Sequence, residues 1–255
     1  MNQQPESRRE RAGRNKRGTL PSPRRTPIAI PNQIAQMPVL MTGFATLVPH
    51  TVLDAIAMTS SLIVVQCVEP LEMFTGIETA NRYVIHDMFL RPLLYCNENS
   101  GFLARQCFGN GRGFVMEIRD VYGAPLMNVQ RDNTCCSCSD SVVARFNGHQ
   151  IGMIQKECCD GTFKLYAAGC PQPLLISSPL CCEMQCGGTQ IFPVMAQNGA
   201  KVGEIVRLFP GFLQEFLTDA DTFLVHFPIN MPPILKLVLI SAVFLIDFTY
   251  FETDD

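Results

Sequence analysis

The 255-residue chain lacks the signatures of common enzyme classes. It has no G-x-S-x-G, no Walker motif and no H-E-x-x-H. A nucleophile elbow, a phosphate-cradling loop and a zincin helix are therefore not expected. Histidine is scarce. His50, His86, His149 and His226 are scattered, and isolated histidines are more often structural than catalytic. The basic N-terminal stretch has no apolar core of the kind a secretory signal needs. Its prolines never fall at P-x-x-P spacing, which argues against an SH3 ligand. An uninterrupted apolar run of the ~20 residues a spanning helix needs is also missing. The C-terminal uncharged run, Leu237–Ile246, is ten residues long. The expectation is a non-enzymatic protein with no catalytic residues.

What is present is uneven. Hydrophobic residues make up 47% of the chain, enough to bury a sizeable core. The net charge of −3 hides a strong asymmetry. Residues 1–31 hold Arg8, Arg9, Arg11, Arg14, Lys16, Arg17, Arg24 and Arg25 against Glu6 and Glu10. They carry +6 and leave −9 for the rest. A basic arm on an acidic body points to anionic lipid, nucleic acid or a nuclear import receptor as partner. A solvated tail is the plainer alternative. We read residues 1–40 as a disordered, Pro-containing arm and 41–255 as one domain. Twelve cysteines without a secretory signal, several of them adjacent, suggest a reducing compartment with thiols free, metal-bound or acylated.

From about residue 60 the pattern is short strands punctuated by turns. Phe114–Arg119 and Leu126–Gln130 flank a turn; Ser141–Phe146, Gln150–Gln155 and Thr162–Tyr166 follow, then Thr189–Ala196, Lys201–Leu208 and Phe223–Pro228. Asn147-Gly148, Asp160-Gly161 and Asn198-Gly199 supply hairpin turns, since these pairs tolerate positive φ. An internal echo supports a repeated meander. Asn147–Ile154 and Asn198–Ile205 share N-G-x-x-[IV]-G-x-I, offset by 51 residues. The fold class is mainly β, a closed barrel or a sandwich, because closure removes exposed strand edges. Helices are few: two turns over Gly211–Leu217 and one long candidate, Pro232–Phe251, with proline in its first turn.

That last helix contains Ile234, Lys236, Leu237, Ile246, Asp247 and Phe251. Counting Lys236 and Asp247 as tolerated, it offers eighteen residues, Ile234–Phe251. It either spans a bilayer or fills the barrel. Being apolar all round, it is better suited to full enclosure, and we favour the buried reading. Just before it, Asp219–Asn230 can be laid on a twelve-position calcium loop. Asp219 and Asp221 stand at positions one and three, with Phe223, Val225 and Phe227 offering backbone carbonyls and Asn230 closing. Leu224 stands where glycine is usual, so any affinity would be weak, of the ~10⁻⁴–10⁻³ M class. The alternative is a turn between a helix end and a strand, with the two aspartates as capping residues. Cys135, Cys136 and Cys138 form a cluster between two strands. It fits half a zinc site, a redox pair, loop acylation, or structural thiols.

Several of these segments resemble the phospholipid scramblase family: RLFPGFLQEFLTDADTFLVHF over Arg207–Phe227, FLIDFTYFE over Phe244–Glu252, and LEMFTGIETAN over Leu71–Asn81. The resemblance covers about residues 60–252. It implies a tubby-like fold, a closed antiparallel barrel of about twelve strands around a hydrophobic C-terminal helix (233–251). It implies calcium-triggered, ATP-independent, bidirectional movement of phospholipids between leaflets. It assigns calcium to the Asp219–Asn230 segment, where Asn230 replaces the family's closing aspartate, and palmitate to Cys135, Cys136 and Cys138. Residence at the cytoplasmic face of the plasma membrane follows, single-pass or lipid-anchored, with homo-oligomers and nuclear entry as further expectations. The family's basic import segment would fall near Asn198–Gly211, where only Lys201 and Arg207 are basic, so the arm is the better carrier. The competing reading is a non-transporting lipid-, nucleic-acid- or protein-binding module whose membrane residence is set by acylation.

Overall fold

The computed structural model describes residues 51–67, 80–101, 112–132, 140–157, 161–179, 188–208 and 221–252. The basic arm, the cysteine cluster, Asp219 and the stretch 211–217 lie outside these residues.

Twelve antiparallel strands close into a barrel: β1 (Ser61–Gln66), β2 (Arg82–His86), β3 (Pro92–Asn99), β4 (Phe114–Asp120), β5 (Pro125–Arg131), β6 (Ser141–Phe146), β7 (His149–Lys156), β8 (Thr162–Ala167), β9 (Leu174–Ser177), β10 (Gln190–Met195), β11 (Lys201–Leu208) and β12 (Thr222–His226). Each strand pairs with its neighbours in the chain, and β12 closes on β1 through Ser61–His226 to Val65–Thr222. Period-two alternation drives the closure. Phe114, Met116 and Ile118 of β4 point inward, as do Phe163, Leu165 and Ala167 of β8.

The N-G-x-x-[IV]-G echo has a structural meaning. In both hairpins the register slips at the branched residue. Ala144 pairs with Gly152 but Arg145 with Gln150; Val194 pairs with Gly203 but Met195 with Lys201. Each copy thus encodes a turn followed by a bulge. At the first turn Asn147 and Gly148 both take positive φ, 49° and 80°, which a two-residue hairpin requires. Gly152 has a second role. A Cβ there would lie 2.5 Å from Val238 Cγ1 and 2.7 Å from the Tyr166 carbonyl. Its absence lets the enclosed helix approach the wall.

Two helices complete the structure among the described residues. α1 (Val52–Ala57), absent from the sequence expectation, is a single short helix before β1. Its signal was the Thr51/Asp54 pair, which forms a reciprocal capping box. α2 (Pro233–Tyr250) runs inside the barrel, within one residue of the expected Pro232–Phe251 at each end. Every residue from Lys236 to Phe248 is buried. By length and composition α2 is apolar enough to cross a membrane, and it is the filling of the barrel here. Eight strands leave an interior that side chains alone can fill. Twelve leave room for a helix, and one apolar on every face is the matching occupant.

Candidate functional site

The topology gives the barrel two unlike mouths. At one, the strand connections are two to six residues long and α2 begins. At the other they are nine residues or longer, except the five-residue link from β7 to β8, and α2 ends. Both ends of α2 are tied by buried ionisable groups.

At the first mouth Lys236 is fully buried. Its ammonium donates to the carbonyls of Ile56, Ala57 and Ile229 at 3.0 Å each and of Thr59 at 2.7 Å. It also sits 4.9 Å from the centre of the Phe227 ring. Ile56 and Ala57 close α1, so the cation sits at the negative end of that helix. Desolvation pulls Lys236 down to about 8. The carbonyl cage works in the other direction, because four carbonyl dipoles favour the ammonium over the neutral amine, which has one donor fewer and no charge.

At the second mouth a charged network surrounds the end of α2. Asp247 is buried and accepts from the Tyr83 hydroxyl at 2.6 Å. Asp247 also hydrogen-bonds Asp221. Asp221 in turn accepts from Arg207 Nε at 3.1 Å and Nη2 at 2.5 Å, while Arg207 Nη1 donates to Gln190 at 3.2 Å. Beside this chain, buried Arg112 bridges Glu98 at 2.9 Å and Glu252. Asn81 donates its amide to Glu252 at 2.9 Å and its backbone N–H to Glu98 at 2.8 Å. Arg131 binds Asp140 at 2.8 and 2.5 Å. Three guanidiniums also cover the helix end: Arg112 and Arg131 lie 4.8 and 5.7 Å from the Phe248 ring, and Arg207 lies 4.1 Å from Phe251.

Five carboxyls therefore face three guanidiniums in a poorly solvated site. They cannot all ionise cheaply. Burial raises Asp247 well above the usual carboxylate range, and the neighbouring Asp221 reinforces this. Burial raises Asp221 too, against the pull of Arg207. Burial likewise raises Glu252 to about 7, even with Arg112 beside it. Burial and mutual repulsion thus favour the protonated form of Asp247 beside Asp221 on the last turn of α2.

Three of the segments singled out in the sequence meet at this mouth. Asn81 ends LEMFTGIETAN, Arg207 and Asp221 belong to the second segment, and Asp247 and Glu252 to FLIDFTYFE. The residues laid on the calcium loop do not meet. Asp221 is at the charged mouth. Phe223, Val225 and Phe227 turn into the core at 0, 0 and 3% exposure. Asn230 is exposed in the turn before α2, at the opposite mouth. Strand β12 stands between, about 16 Å of extended chain at ~3.3 Å per residue. The described ends of the set, Asp221 and Asn230, thus stand at opposite mouths, and Asp219 lies outside the described residues. Among the described residues no three His, Cys, Asp or Glu side chains converge as metal ligands. Ile234 and Phe251 are half-buried at the ends of α2, and Leu237 and Ile246 are buried within it. Cys135, Cys136 and Cys138 fall in the connection between β5 and β6, outside the described residues. Sequence reasoning missed Tyr83, Glu98, Arg112, Arg131 and Asp140. The available signal was charge at the strand ends that flank the long connections, on the inward-facing phase of otherwise apolar strands.

The Scramblase family model matches residues 41–253. Phospholipid scramblase 1 of Homo sapiens is 30% identical over 210 residues, covering 79% of this chain and 66% of that protein. Phospholipid scramblase 4 of Mus musculus is 29% identical over 211 residues, covering 78% and 64%. Phospholipid scramblase family member 5 of Homo sapiens is 27% identical over 209 residues, covering 78% and 77%. The chain thus spans just under two thirds of the first two relatives. No solved structure matches it significantly. The matched region takes in every strand of the barrel and the enclosed helix, and the chain belongs to the scramblase family.

Proposed function

We propose that the protein is a membrane-associated phospholipid scramblase that moves lipids between leaflets in both directions, triggered by calcium and independent of ATP. The observation that carries this reading is the family match across residues 41–253, which covers the complete barrel and α2. Of the residues assigned to calcium, we take Asp219 and Asp221, two positions apart in the sequence, as the pair for one ion, because β12 separates Asn230 from Asp221. The basic arm would hold anionic lipid at the cytoplasmic face, each basic group adding about 1 kcal/mol at a charged surface. Palmitate on Cys135, Cys136 and Cys138 would supply a second anchor. Passive movement of lipid down its gradient needs no chemical step, in keeping with a non-enzymatic role.

The test is lipid flip in liposomes holding the purified full chain, with and without millimolar calcium. The variant is Asp219→Ala/Asp221→Ala. Calcium-dependent flip lost in the variant supports the reading. Flip no faster than in protein-free liposomes, from folded and membrane-bound protein, ends it.

One observation favours a second reading. The thirteen residues Lys236–Phe248 are buried in the barrel, so α2 presents no apolar face to a bilayer. A non-transporting module that binds lipid, nucleic acid or protein would look the same. Such a module binds vesicles or partners without speeding flip, and alkaline carbonate removes it from membranes.

A further inference from the structure

The mouth where α2 begins carries an apolar arc that the core does not use. Two neighbouring hairpins, β2–β3 and β4–β5, are built on one plan. In the first, Asp87 Oδ1 accepts from the backbone N–H of Phe89 at 2.8 Å and of Arg91 at 3.0 Å. In the second, Asp120 Oδ1 accepts from Tyr122 at 2.9 Å and from Ala124 at 2.8 Å. The residue after each aromatic takes positive φ, 60° at Leu90 and 83° at Gly123. Leucine adopts that region only when its surroundings impose it. The aspartate in each turn thus fixes the tip and holds the aromatic two residues on out into solvent. Phe89 is 80% exposed and Tyr122 is 93% exposed.

The flanking residues extend the arc. Met88, Leu90 and Val121 are exposed beside the two aromatics, and Ile229 stands next along the rim, where β12 meets β1. On the other half of the same mouth the β6–β7 and β10–β11 tips are polar, Asn147-Gly148 and Asn198-Gly199, and the β8–β9 tip, residues 168–173, carries no aromatic. Exposed guanidiniums flank the apolar half. The Arg91 side chain is 73% exposed, is paired with Asp87 at 2.6 Å and lies 5.3 Å from the Phe89 ring. Arg119, 42% exposed, is paired with Glu117 at 3.0 Å and donates to the Gly123 carbonyl at 3.2 Å.

We propose that this arc, led by Phe89 and Tyr122, docks the barrel on an anionic phospholipid surface. The inference deepens the membrane reading above and rests on it. Its physical basis is shape and chemistry together. The tips are convex and project singly, so they offer no broad flat patch of the ~800 Å² a stable protein partner would cover. A fluid interface accepts such projections without a matching groove. Aromatic rings belong at headgroup level, and adjacent arginines meet lipid phosphate. Rigid tips lose little entropy on insertion, which is why the aspartate turns matter.

The chain contains no tryptophan, so one introduced tryptophan is a clean reporter. The variants are Phe89→Trp and Tyr122→Trp, with Ile191→Trp on the barrel wall as control, in the full chain made without acylation. The probe is vesicles of phosphatidylserine and phosphatidylcholine, with brominated lipid as quencher. Both tip tryptophans should shift to the blue and be quenched, and the wall tryptophan should not. Phe89→Ser/Tyr122→Ser should lower vesicle partitioning roughly tenfold or more, given the apolar area withdrawn from lipid. Vesicle-bound protein with unshifted tip tryptophans overturns the proposal. So does a shift that grows with protein concentration in the absence of vesicles, which would make the arc a contact between copies. Flip measured on the same samples separates this inference from the reading beneath it. Inserted tips without flip sink scrambling and leave docking standing. Flip with tips in water does the reverse.

Discussion

At the scale of single residues, two positions set how α2 sits. Gly152 gives the helix its closest approach to the wall, with a would-be Cβ only 2.5 Å from Val238. Gly152→Ala should therefore force the strand or the helix to move and lower stability by about 1–3 kcal/mol, read by urea unfolding. Lys236 is the other position. Lys236→Met keeps the volume but withdraws a donor from four carbonyls, those of Ile56, Ala57, Thr59 and Ile229. The expected loss is roughly 1–3 kcal/mol, since buried acceptors left without a donor forfeit their solvation. An unchanged unfolding midpoint would mean that water replaces the ammonium and that α1 is not anchored through it. Both residues were visible in the sequence, Lys236 as a charge in an apolar run and Gly152 as part of the echo. Their partners were not, because those lie on elements up to 180 residues away.

At the scale of elements, α2 is an apolar rod with a cation caged at one end and carboxyls raised by burial at the other. Glu252 is raised to about 7 and Asp247 well above its usual value. Around neutral pH the folded state thus keeps protons that the unfolded chain has released. The contribution of these two carboxyls to stability falls as pH rises from about 4.5 through 7. A carboxyl that titrates one pH unit higher in the folded state than in the unfolded chain loses about 1.4 kcal/mol across that window. Asp247→Asn removes the Asp247 contribution while leaving an acceptor for Tyr83. The variant should show a shallower fall in unfolding midpoint between pH 5 and 7.5 and should exceed the parent at the upper end. Lys236, lowered to about 8, and His86 and His226, lowered by burial, add their own pH dependence, which parent and variant share, so the difference between the two slopes belongs to Asp247. A slope identical to the parent would place the retained proton on another group.

At the scale of the whole molecule, the enclosed helix bears directly on membrane behaviour. Its thirteen buried residues face the inner wall of the barrel. Protein made without acylation should therefore leave liposomes on alkaline carbonate treatment. Resistance to extraction would show that α2 leaves the barrel on binding. The two mouths divide the labour in this picture. The charged mouth gathers Asn81, Arg207, Asp221, Asp247 and Glu252 around the end of α2. The opposite mouth carries the apolar tips.

By itself the sequence determined the local and periodic features. Alternation at period two placed the strands, Asn-Gly pairs placed the turns, and an all-round apolar run marked α2 for enclosure. Each depends on neighbours within a few residues, so each is written locally. Even the bulges were present as an echo, although their geometry was not. The tertiary structure decided which distant residues meet. Only closure of β12 on β1 brings the Asp221 end of β12 to the last turn of α2, and only the extended path of β12 carries Asn230 away to the other mouth. A twelve-residue window can be read as a loop or as a strand. The choice rests on hydrogen bonds to β1 and β11, strands that lie up to 165 residues away and outside the window. The buried charge network was illegible for the same reason. Each arginine looked like an ordinary surface residue at a strand end until the closed barrel set it against a carboxylate and a phenylalanine ring.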